Sequence, residues 1–128
     1  MAETEKITIN LSVVDLGRID LLVDQGHYSN RTDFIRNSIR TKLQSYENSI
    51  NEIVTRKSMA MGIIAYSKSD LIKRRDKGEM MDISIVGMLI FMGDITPELA
   101  LETINSINVS GVFRAREDVK KALGDRIN

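Results

Sequence analysis

The segment Lys6–Leu11, reading KITINL, alternates polar and apolar residues with a strict period of two, the pattern of a half-exposed β-strand. Lys6, Thr8 and Asn10 form one row, and Ile7, Ile9 and Leu11 form the other. The polar row has the chemistry of base readout: lysine suits guanine acceptors, asparagine pairs bidentately with adenine, and threonine bonds a base edge or touches a thymine methyl. A second group, Ser29, Asn30 and Arg31, precedes a run with helical periodicity. There the unbonded N–H groups and partial positive charge of a helix N-terminus suit a phosphate, and the arginine adds charge. One group would read sequence and the other would hold position.

Three elements must position these residues. A lone strand in the first fifty residues has no partner in its own chain, so it is expected to pair with the same strand of a second copy. The first helix is expected to start at Ser12, with Asp15 three residues on, to carry Val14, Ile19, Leu22 and Val23 on one stripe, and to stop at Gly26. Its length would be about 12 residues. After the turn at Gly26–Tyr28, Ser29 is expected to cap a second helix with an apolar face running through Phe34, Ile35, Ile39, Leu43, Tyr46, Ile50 and Ile53. Neither stripe can be buried by so short a unit alone, which again calls for a homodimer.

In order and spacing, KITINLS, the helix ending at Gly26 and YSNRTDFIRNSIR at Tyr28–Arg40 resemble the ribbon–helix–helix family of bacterial DNA-binding repressors, which includes the Arc and methionine repressors. The resemblance covers roughly residues 5–47. It implies that Lys6, Thr8 and Asn10 enter the major groove of an operator and that Ser29, Asn30 and Arg31 grip phosphate.

Composition bounds this reading. Eighteen basic residues balance eighteen acidic ones over 128 residues, so no global positive charge favours nucleic acid. Up to Lys57 the balance is eight against eight, and binding must depend on local placement of charge. The chain has no cysteine, which excludes disulfides, thiolate metal sites and a cysteine nucleophile. His27, the only histidine, lies in the turn between the helices and is assigned no site. With no histidine or cysteine set, the metal-sensing domains of nickel-responsive relatives have no counterpart here, and neither a metal nor another cofactor is expected. No nucleophile–base pair can be named, so the chain is not expected to be an enzyme. The start MAETEKIT lacks the features of a signal peptide and no stretch of about 20 apolar residues could span a bilayer. A cytoplasmic protein without membrane contact is the expectation.

From Met59 onward, apolar strand-like runs alternate with polar helical ones: SMAMGIIAYS, KSDLIKRRDKG, MDISIVGMLIFM, TPELALETINS, INVSGVFRA and REDVKKALG. Such alternation predicts a parallel sheet covered by helices. At an offset of 24, Ile83 matches Ile107, Ile85 matches Val109, Gly87 matches Gly111, Met88 matches Val112 and Leu89 matches Phe113; Gly62 stands 25 residues before Gly87. Three strand–turn–helix coils stacked like a solenoid would account for this. Asp70, Asp94 with Thr96, and Glu117 with Asp118 would mark helix starts, with Pro97 in a first turn. The methionines read as adaptable core, and the basic run Lys73–Arg75 with Lys77 as a solvated face.

The expected fold class is therefore α+β: a ribbon–helix–helix DNA-binding domain over residues 1–57, then a small α/β repeat module over 58–128. The expected function is a sequence-specific transcriptional regulator, a repressor in the simplest case, whose partners are double-stranded operator DNA and further copies of itself. The second module would serve oligomerisation, or bind a protein partner or ligand. An antitoxin with a toxin-binding C-terminal part is the alternative, although such segments are often charged and disordered when free. A chain that only polymerises is a third reading.

Overall fold

The computed structural model describes residues 3–128. Its elements in chain order are α1 (Val13–Asp24), α2 (Arg31–Ser45), α3 (Glu47–Arg56), β1 (Ala60–Tyr66), α4 (Lys68–Asp76), β2 (Met81–Phe91), α5 (Pro97–Thr103), β3 (Ile104–Arg114) and α6 (Glu117–Leu123), followed by a 3-10 turn at Gly124–Arg126. They group into two compact units, one up to Asn51 and one from Glu52 to Asn128.

In the first unit, Ser12 caps α1 by accepting the Asp15 N–H at 3.1 Å. Gly26, at φ 83°, ends the helix while Gly26 N–H and His27 N–H reach back to the carbonyls of Val23 and Leu22. This is the left-handed stop that glycine permits. Two expectations are corrected. The cap of α2 is Asn30, whose side chain accepts the Asp33 N–H at 2.8 Å; Ser29 lies one position earlier and donates its backbone N–H to Asp33 Oδ2. The long second helix is also broken. Tyr46 leaves helical geometry at φ −106°, ψ 8°, the Ser45 hydroxyl donates to the Lys42 carbonyl, and α3 starts afresh with Glu47 in its first turn.

Within the single chain, residues 6–11 form no strand and are exposed. A ladder needs a second strand, and among the described residues none pairs with this segment. Around it, the unit has little core of its own. Ile19 is its one fully buried apolar residue among those described, while Val14, Leu21, Ile39 and Leu43 remain exposed.

The second unit has a core. β1, β2 and β3 form a parallel sheet in that order, and α4, α5 and α6 lie side by side against it. Ile83, Ile85, Leu89 and Phe91 of β2 and Ile107 of β3 pack with Leu71, Leu99, Ala100, Val119 and Leu123 from the helices. Period-two alternation sends these strand residues to one face. The register aligns Ile83 with Ile107, Ile85 with Val109, Gly87 with Gly111, Met88 with Val112 and Leu89 with Phe113, and on the other side of β2 aligns Gly62 with Gly87. Helix starts fall where the acidic and hydroxyl residues predict. Ser67 and Asp70 make a reciprocal capping box, and Thr96 accepts the Leu99 N–H with Pro97 beginning α5. The expected helix through Ser106 is shorter than its sequence run, because Ile104 turns to φ −108°, ψ 117° and opens β3 as a fully buried residue.

At the C-terminal end of α3, Ser58 sits at φ 52° while Met59 N–H bonds the Val54 carbonyl. A non-glycine residue in this left-handed position carries a steric penalty that glycine avoids, offset in part by glycine's greater chain entropy. Ser58→Gly is therefore expected to raise stability by about 0.5–1 kcal/mol. A urea unfolding curve with an unchanged or lower midpoint would contradict this.

Candidate nucleic-acid interface

Lys6, Thr8 and Asn10 all lie on the exposed N-terminal segment, as do Ile7, Ile9 and Leu11. The apolar row is open to solvent, with Ile7 73% and Ile9 61% exposed. Both rows of this alternating segment are wet, and nothing among the described residues covers its apolar row.

At the start of α2, the Asn30 side chain accepts the Asp33 N–H and the Asp33 carboxylate accepts the Ser29 N–H, while the Arg31 and Thr32 amides of the first turn have no intrahelical acceptor. Arg31 does not project freely. Its Nε and a terminal nitrogen donate to the two carboxylate oxygens of Asp20 at 2.7 and 2.8 Å, a bidentate fork between α1 and α2. This hydrogen bonding, reinforced by the charge, holds the Asp20 carboxyl below its usual range and raises the arginine. The pair also ties the two helices together, alongside the edge-to-face contact of Tyr28 with Phe34 at 5.0 Å. Residues eleven apart in sequence meet only because the Gly26–Asn30 turn folds α2 back on α1, so no local pattern announces them.

The structure adds residues that the sequence reading left out. A shallow polar groove runs along α2 from Asn30 past Arg36, Asn37, Arg40, Thr41 and Gln44. Their spacing of three and four residues places them on one helical face, and that spacing was the available signal. Among the described residues neither Arg36 nor Arg40 has an ion-pair partner. Uncompensated positive charge thus lies on the same helix as the N-terminal amides.

His27 serves the helix stop through its backbone. The basic run of the second unit is dispersed: Arg74 pairs with Glu79 at 3.0 Å, and Arg75 lies 3.6 Å from Asp76 and 3.7 Å from Glu102. Among the described residues, no helix is long and apolar enough to cross a membrane.

No curated protein and no solved structure matches this chain. A family model does, across residues 2–120, and it describes the Ribbon-Helix-Helix transcriptional regulator family. The match spans nearly the whole sequence, both the exposed alternating segment with its two helices and most of the parallel-sheet unit; the chain belongs to the ribbon–helix–helix transcriptional regulator family.

Proposed function

We propose that the protein is a homodimeric, sequence-specific repressor that inserts a two-stranded ribbon, one strand from each copy, into the major groove of its operator. The observation that carries this reading is the exposed alternating segment: pairing it with a second copy buries Ile7, Ile9 and Leu11 against the exposed stripes of α1 and α2 and leaves Lys6, Thr8 and Asn10 facing outward. The first 57 residues form the DNA-binding domain, and residues 58–128 form the module that assembles copies. The second unit has its own packed core, which favours assembly between folded copies over an antitoxin segment that orders only on a toxin. Selecting bound fragments from a random DNA pool tests the reading. Recovery of an inverted or tandem repeat is expected, and a pool that stays random after several rounds would refute it.

In this reading Ser29, Asn30 and Arg31 surround the phosphate, which the free Arg31 and Thr32 amides and the Arg31 guanidinium hold, and Arg36 adds charge nearby. Asp20 competes with the phosphate for Arg31. Asp20→Asn should therefore tighten binding to all sequences and steepen the salt dependence by about 0.9 in log–log slope per added phosphate contact, while Arg31→Ala should weaken binding and flatten the slope by a similar amount. Equal slopes for both variants and the parent protein would move the phosphate contact elsewhere.

A further inference from the structure

Gly62, Gly87 and Gly111 stand side by side across β1, β2 and β3, at φ 134°, 135° and 128°. The shared conformation presses each strand's backbone onto the next. A Cβ on Gly87 would lie 3.0 Å from the Gly62 carbonyl carbon and closer still to its oxygen, and one on Gly111 would meet the Gly87 carbonyl in the same way. Gly62 adopts this conformation with nothing within 4 Å of its own Cβ position. The stack is therefore open at one end, where Gly62 presents the surface that receives a carbonyl. It has a donor of that carbonyl at the other end, in Gly111.

We infer that the β1 edge of one copy pairs in parallel with the β3 edge of another, head to tail, continuing the glycine stack from Gly111 to Gly62. This inference rests on the reading that the C-terminal unit assembles copies, and it names the surface.

Three features favour a second copy over another occupant. The outer edge of β3 is bridged by Ile127 at Ile107, where Asn128 N–H also donates to the Ile107 carbonyl. The stretch that glycine alignment would place against Ala60–Ala65 is Val109–Arg114, which begins after that bridge. The alignment also keeps faces in phase: Ile64 falls beside Phe113 on the helix side, as it does beside Leu89 within the chain, and Ile63 falls beside Val112 on the opposite face, as it does beside Met88. A slip by one residue would reverse every side chain. Finally, Ala60–Tyr66 carries no charge and no proline, and Val109–Arg114 carries no proline and a single charge, Arg114, at its last position. Those are the devices that ordinarily keep sheet edges apart. An interface of this kind joins two different surfaces, so each added copy presents a free edge to the next and assembly can proceed beyond a dimer.

The absence of cysteine makes a clean test. Full-length Ile63→Cys and Val112→Cys variants are mixed under mild oxidant, and disulfide-linked dimer is measured for the mixture and for each variant alone. Adjacent strands bring such pairs within disulfide range, and the mixture should give roughly tenfold more linked dimer than either variant alone. Linkage of Ile63→Cys with itself at the same level would overturn the inference in favour of pairing between two β1 edges. In parallel, sedimentation of Gly62→Ala, where the added methyl meets no atom of its own chain, should show loss of species larger than a dimer with circular dichroism retained. Large species that persist in Gly62→Ala, or that form with no Ile63–Val112 linkage, would overturn this interface but leave assembly standing. No species above a dimer in the parent protein would remove both.

Discussion

Gly87→Ala is expected to destabilise the C-terminal unit by about 3 kcal/mol or more, adding a backbone overlap to the cost of a side chain in a disfavoured region. Gly87 lies in the middle of the stack, where its Cβ would run into the Gly62 carbonyl. Backbone in a parallel ladder cannot yield as the end of a flexible side chain can, so relief would require β1 and β2 to separate. Gly62→Ala has the same φ to accommodate but open space around it, and should cost only about 1–3 kcal/mol from backbone strain. Chemical denaturation of the two variants, followed by a signal from the sheet, measures the difference. Equal losses would mean that conformation alone, not close approach, required glycine at both positions.

Asn10→Ala should weaken binding to the selected operator by about 1–3 kcal/mol, or up to roughly a hundredfold, with little change on random duplex. Alternation places Asn10 in phase with Lys6 and Thr8 and out of phase with Ile9 and Leu11, so its amide faces outward when the apolar row is covered. An asparagine amide offers a donor and an acceptor in the geometry of an adenine edge, and alanine offers neither. Preference should relax at one position in each half-site. Competition binding with single-base operator variants measures this, and a loss shared equally by cognate and random DNA would assign Asn10 to the backbone instead.

Local physics was legible. The capping of α1 by Ser12, the stop at Gly26, the helix start marked by Asp70 and the start of α5 at Thr96–Pro97 each depend on a few consecutive residues. The offset that matched Gly87 to Gly111 also became their hydrogen-bonded register, because repeated strand–helix units bring equivalent residues side by side when they stack. Asn30 displaced Ser29 as the cap because both can accept from a helix amide, and only the path of the turn decides which oxygen reaches Asp33. The break at Tyr46 escaped the apolar periodicity, which runs through it unchanged.

By itself, then, the sequence determined the start and stop of α1, the strand–helix alternation from Ala60 onward and the offset that aligns β2 with β3, since side-chain period and capping chemistry act over one or two turns. Tertiary structure decided what depends on how elements meet: the fork between Arg31 and Asp20 across two helices, and the close backbone approach that a Cβ on Gly87 or Gly111 would meet while Gly62 is left open. Distances between groups remote in sequence follow from the packing of whole elements, and no run of neighbouring residues encodes them.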